Sequence, residues 1–229
     1  MNKVLLTLAA IFAVVTAKSA DLANIAVDAG YNNYYVVNGV SKATDTPYAG
    51  ISAIKTLKFA DVYVGAVLLP KNGIDESYWT LGLGETLRLS EKVAFHLTAD
   101  ATRNQTSPSG IPNSTEFGTM LSLTNPYITP YVRGSFDIDL HQNGVVVGLQ
   151  RTQKLFWGFQ LTPTVEYGRF TDYDFYSAKA TLSRPIKWVT PYAEISWNNN
   201  DKFDGSKYTF ATREFNNTLV YSAGVKVLF

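Results

Sequence analysis

The stretch FWGFQLTPTVEYGRF, running from Phe156 to Phe170, alternates with period two. Trp157, Phe159, Leu161, Pro163, Val165 and Tyr167 fall on one parity; Gly158, Gln160, Thr162, Thr164, Glu166 and Gly168 fall on the other. An extended chain sends successive side chains to opposite faces, so this pattern predicts a strand with an apolar neighbour on one side and a polar one on the other. The pattern recurs. PYITPYVRGSFDID sets Ile128, Pro130, Val132, Gly134, Phe136 and Ile138 against Thr129, Tyr131, Arg133, Ser135, Asp137 and Asp139. KVAFHLTADAT sets Val93, Phe95, Leu97, Ala99 and Ala101 against His96, Thr98, Asp100 and Thr102. FYSAKATLS sets Tyr176, Ala178, Ala180 and Leu182 against Ser177, Lys179, Thr181 and Ser183. Helical periodicity is missing throughout.

Such runs and their turn signals predict about twelve strands, near 24–37, 47–58, 61–70, 77–88, 92–103, 114–124, 126–139, 144–152, 155–169, 174–184, 188–198 and 212–229. Connections on one side read as longer and polar, beginning with NGVSKATDT and ending with NNNDKFDGSKYTFA; those on the other read as tight, such as LSEK, TNP and RPIK. The expectation is an all-β chain forming a single transmembrane up-and-down antiparallel barrel, with ten or fourteen strands as alternatives. Both termini fall on the tight-turn side.

The N-terminal MNKVLLTLAAIFAVVTAKSA is set apart from this pattern. Lys3 precedes an apolar run from Val4 to Val15, too short to span a bilayer as a helix, and small residues follow. Residues 1–20 read as a secretory signal peptide with cleavage near Ala17 or Ala20, leaving 21–229 as the barrel domain. Cysteine is absent, which excludes disulfides, thiolate metal sites and a cysteine nucleophile. Two histidines, His96 and His141, are too few for a histidine-rich metal centre, and no cofactor motif is present. With 20 basic and 19 acidic residues, the chain lacks the basic excess of a nucleic-acid binder.

Alternation alone fits both a soluble sandwich and a lipid-embedded barrel. The export signal and the aromatic residues favour the barrel. Trp157 and Tyr167 bracket one apolar face, about 33 Å apart along an extended strand, or roughly 25 Å in height once tilted. Tyr221 and Phe229 bracket the last strand, and Trp197 joins the same outward set.

Phe229, preceded at alternate positions by Val227, Val225, Ala223 and Tyr221, resembles the closing-strand signal of bacterial outer-membrane β-barrels. That resemblance implies export by the general secretion pathway, insertion by the barrel assembly machinery and residence in outer-membrane lipid. GYNNYYVVNGVSKATDTPYAGISA is similar to the opening of the TorF-like putative porins, in which a tyrosine-rich first strand meets an RGxS turn. Here Asn38-Gly39-Val40-Ser41 stands in that place and the arginine is missing.

Hydrocarbon tolerates no open sheet edge, so the sheet must close around a lumen. The strand registers turn Asp28, Asp100, Glu116, Asp137, Asp139, Glu166 and Glu194 inward, with Arg133, Lys179, Lys226 and His96. This acidic lining predicts a passive channel for small solutes that slightly favours cations. The alternative is a narrow or plugged barrel with a structural or surface role, such as an adhesin or receptor. Catalysis is not expected: His96 has no evident serine partner and His141 sits among polar loop residues. The stretch NNNDKFDGSKYTFATREFNN, with Lys202, Lys207, Arg213, Asp201, Asp204 and Glu214 among aromatics, is a candidate for folding over the mouth or for contacts outside the barrel.

Overall fold

The computed structural model describes residues 24–37, 40–57, 60–70, 75–107, 114–139, 141–201 and 218–229. The signal peptide read from residues 1–20 lies outside them, as do residues 202–217, which include the start of the strand expected from 212. The strands are β1 (Asn24–Val37), β2 (Val40–Thr56), β3 (Asp61–Pro70), β4 (Asp75–Arg88), β5 (Ala94–Ser107), β6 (Ser114–Thr124) and β7 (Thr129–Asp137). They continue with β8 (Gln142–Gln150), β9 (Gln153–Lys154), β10 (Gln160–Phe170), β11 (Asp174–Ser183), β12 (Val189–Asp201) and β13 (Thr218–Leu228). All pairings are antiparallel; β1 to β8 and β10 to β13 each lie beside the next strand in sequence, β8 and β9 both pair with β10, and β13 returns to β1 through Ala26↔Leu228 to Asn32↔Ser222. Among the described residues the sheet is therefore closed on itself, with no edge strand.

The two-residue β9 continues β8. Gln150↔Thr164 and Gln153↔Leu161 belong to one register, interrupted at Arg151 and Thr152. Pro163 stands opposite the interruption and has no amide N–H to donate, so its carbonyl accepts from Arg151 N at 3.2 Å and the return bond cannot form. Counted this way, the wall is an up-and-down barrel of twelve strands.

Three sequence expectations need correction. NGVSKATDT is not a long loop: the β1–β2 ladder runs on to Val37↔Val40, past a bulge at Tyr35/Val36. The asymmetry in connection length is correspondingly smaller. The strand expected from residue 155 begins at Gln160, because Phe156–Gly158 form a 3₁₀ turn in which Trp157 takes a left-handed φ of 57°. Trp157 therefore does not share a strand face with Tyr167. β7 starts at Thr129 rather than 126, since Asn125 Oδ1 accepts from the amides of Tyr127 and Ile128 and bends the chain there.

Polarity is inverted relative to a water-soluble domain. Leu81, Leu83, Leu97, Val145, Val165 and Ile195 point outward and are exposed, Leu81 by 59%. Asn32, Asn104, Thr164, Ser177, Ser196, Asn198 and Asn200 point inward and are buried. A contiguous outward apolar belt of this kind requires apolar surroundings. Aromatics border it at both ends. Tyr127, Phe156, Trp157, Trp188 and Phe229 lie at the end carrying the chain terminus, where Trp188 stacks on Phe229 with centroids 6.4 Å apart. Tyr31, Trp79, Tyr167, Tyr176, Trp197 and Tyr221 lie toward the other, where the Tyr167 and Tyr176 rings meet at 5.0 Å. The final strand is tied in to its last residue: Phe229 N donates to Ile25 O at 2.8 Å.

Candidate functional site

The inward face is built from a repeated three-strand unit. A tyrosine on one strand crosses the glycine beside it and donates its hydroxyl to an acid on the strand beyond. Tyr63 on β3 pairs with Gly82 on β4, which pairs with Asp100 on β5, and Tyr63 Oη donates to Asp100 Oδ2 at 3.3 Å. Tyr131 on β7 pairs with Gly148 on β8, which pairs with Glu166 on β10, and the Tyr131 hydroxyl donates to Glu166. The glycines are required by space: a Cβ would stand 2.1 Å from the Tyr63 ring at Gly82 and 2.3 Å from that of Tyr131 at Gly148. At the seam, Tyr192 and Tyr48 both donate to Asp28 Oδ1, at 3.0 and 3.4 Å. Gly30 and Gly224 make room for their rings, and Lys226 is the cross-strand partner of Asp28.

The described residues enclose a larger and a smaller cavity in the interior. The larger, about 820 Å³, is lined by Asp28, Glu166 and Glu194 and by Arg133, Lys179 and Lys226, so its formal charges balance. The smaller, about 390 Å³, lies nearer the chain-terminus end and is lined by Asp61, Tyr63, His96, Asp100 and Arg133 among others. Acid predominates there. The cavities meet at Met120 and Arg133, which line both and face each other across β6 and β7. Arg133 Nη2 lies 3.2 Å from Glu116 Oε1 and 3.7 Å from Asp100 Oδ1. Lys179 Nζ approaches Glu194 Oε2 at 3.9 Å, and Thr181 donates to the same oxygen at 2.8 Å.

Of the residues expected to line the lumen, Asp28, His96, Asp100, Arg133, Glu166, Lys179, Glu194 and Lys226 border these cavities. Glu116 reaches inward through Arg133, and Asp137 is buried at the end of β7. Asp139 is placed differently. It lies past the end of β7, where it pairs with Arg103 at 3.1 Å on the outward parity of β5, and so belongs to the rim. His96 bonds Thr86 Oγ1 through Nδ1 at 2.9 Å. Its cross-strand partner is Ser122, a neighbour that linear reading missed. Both lie on the inward parity. Among the described residues no cluster of His, Asp and Glu is arranged to hold a metal ion.

Closed wall, inverted polarity and charged interior together define a twelve-stranded up-and-down barrel of the outer-membrane kind. No protein-family model and no curated protein matches the sequence, so the TorF-like resemblance is not confirmed. Solved structures do match in shape. A KdgM porin in complex with disordered oligogalacturonate superposes with a TM-score of 0.56 at 10% identity, covering 89% of this chain and 99% of that one. A NanC porin gives the same score and identity over 89% of this chain and 98% of its own. At this identity the likeness establishes the fold.

Proposed function

We propose that the chain is a channel of the bacterial outer membrane through which small solutes diffuse passively. One observation carries the reading: apolar side chains are exposed outside while charged and hydroxyl side chains surround internal cavities. Folding thus spends its apolar residues on the surface, which is stable only against hydrocarbon, and encloses a wet interior. Export, insertion by the assembly machinery through the Tyr221, Ala223, Val225, Val227 and Phe229 strand, and residence in outer-membrane lipid belong to the same reading. The KdgM porin is seen with an acidic oligosaccharide. Here Asp28, Asp61, Asp100, Glu116, Glu166 and Glu194 oppose Arg133, Lys179 and Lys226. That balance favours small cations and neutral solutes over polyanions. The reading assigns no catalysis, since His96 and Ser122 face the lumen and not a lipid substrate.

Planar-bilayer recording on refolded protein tests the proposal. Stepwise conductance with a weak cation preference is expected. Silence at high protein concentration would refute it and favour the plugged structural barrel.

A further inference from the structure

We infer that Arg133, held between Asp100 and Glu116, is the barrier that sets both the width and the charge preference of the passage; this rests on the channel reading above. Among the described residues, Arg133 and Met120 line both cavities. Its guanidinium is fixed in place by carboxylates from β5 and β6, and Asp100 is itself held by the Tyr63 hydroxyl from β3. The resulting chain, Tyr63–Asp100–Arg133–Glu116, braces side chains from four strands along one side of the bore.

Space for the convergence comes from Gly118. A Cβ there would stand 2.8 Å from Asp100 Oδ1 and 3.1 Å from Arg133 Nη2, so a larger residue would push the charges apart. The three charged groups sum to one negative charge, and all are partly exposed, Arg133 by 34%. The larger cavity is lined from Ala26 and Lys226 toward the chain-terminus end to Asn32 and Asn198 toward the other, and Arg133 lines it between them, so an ion crossing that cavity passes the guanidinium. Two carboxylates attract a cation and the guanidinium both repels it and blocks its path. The wild-type preference is therefore a small difference between opposed charges. A unit charge about 4 Å from an ion in water alters its local occupancy about fivefold.

Substituting the two kinds of partner must move selectivity in opposite directions. Arg133→Gln removes the positive charge at similar length. It should shift the reversal potential in a salt gradient toward stronger cation preference, with permeability ratios changing up to about fivefold. Arg133→Ala should do the same and raise single-channel conductance above that of Arg133→Gln, because it also removes bulk. Asp100→Asn combined with Glu116→Gln leaves Arg133 unopposed and should shift the reversal potential toward anions. Heat-modifiable gel mobility reports that each variant folds; if Arg133→Ala does not, the opposed shifts of Arg133→Gln and the double variant decide. A conducting wild-type protein whose reversal potential is the same in all variants would overturn this inference and leave the channel reading standing. A silent wild-type protein would overturn both.

Discussion

The Tyr131–Gly148–Glu166 unit makes a quantitative prediction about how the lumen wall is held together. Gly148→Ala places a methyl carbon 2.3 Å from the Tyr131 ring, well inside contact distance, and the ring must move or its strand must shift. Overpacking of this sort costs about 1–3 kcal/mol. In a Tyr131→Ala background the same methyl meets no ring. The substitution should then be mildly favourable, by about 0.5–1 kcal/mol, since glycine within a strand is worse than alanine by roughly that amount. The two effects differ by about 1.5–4 kcal/mol, which is the coupling expected in a double-mutant cycle. The assay is equilibrium urea unfolding of the four proteins refolded in bilayers. Additivity within about 0.5 kcal/mol would show that the ring does not depend on the glycine, and the three-strand unit would be an accident of register.

Other consequences concern the outward face, the seam and the last residue. Leu83→Arg, midway between Trp79 and Leu87 on the outward face of β4, should destabilise the bilayer-folded protein by about 2–4 kcal/mol, while Leu87→Arg, one residue from the strand end, should cost about 0–1 kcal/mol; equal costs in a refolding titration would contradict the placing of β4 in the bilayer. Asp28→Ala removes the acceptor of Tyr48 and Tyr192 and leaves Lys226 without its cross-strand acid. A loss of about 1–3 kcal/mol in urea unfolding is expected, and an unchanged midpoint would remove Asp28 from the seam. Deleting Phe229 should slow assembly in cells while leaving refolding of purified protein nearly intact. Equal impairment of both would make Phe229 a packing residue against Trp188 and not a recognition signal.

Much of the wall is legible in the chain because alternation survives translation into structure. The spans 24–37, 61–70 and 114–124 coincide with β1, β3 and β6. Errors cluster where composition misleads. NGVSKATDT is polar, yet both of its strands pair through to Val37↔Val40, and the Asn38-Gly39 dipeptide is a two-residue hairpin signal in its own right. Trp157 continues the parity of its neighbours on paper, but the 3₁₀ turn at Phe156–Gly158 takes it off the strand. Asp139 keeps the inward parity of Asp137 but lies past the strand end, where Arg103 captures it. The tyrosine–glycine–acid units were not legible at all. Tyr63, Gly82 and Asp100 are far apart in sequence, and only the register of three strands puts them in one row. Inward glycines such as Gly82 and Gly148 read as merely small until a ring is found lying across them.

The central claim is that the apolar outer face meets hydrocarbon. All four tryptophans, Trp79, Trp157, Trp188 and Trp197, point outward from the barrel near its two aromatic borders. The direct measurement is tryptophan fluorescence of the refolded mature protein in bilayers whose acyl chains carry bromine at graded depths. Strong quenching is predicted, greatest when bromine lies close to the headgroups and weaker when it lies at the bilayer centre. Fluorescence indifferent to brominated lipid, in a protein that stays folded and monomeric without detergent, would contradict the account.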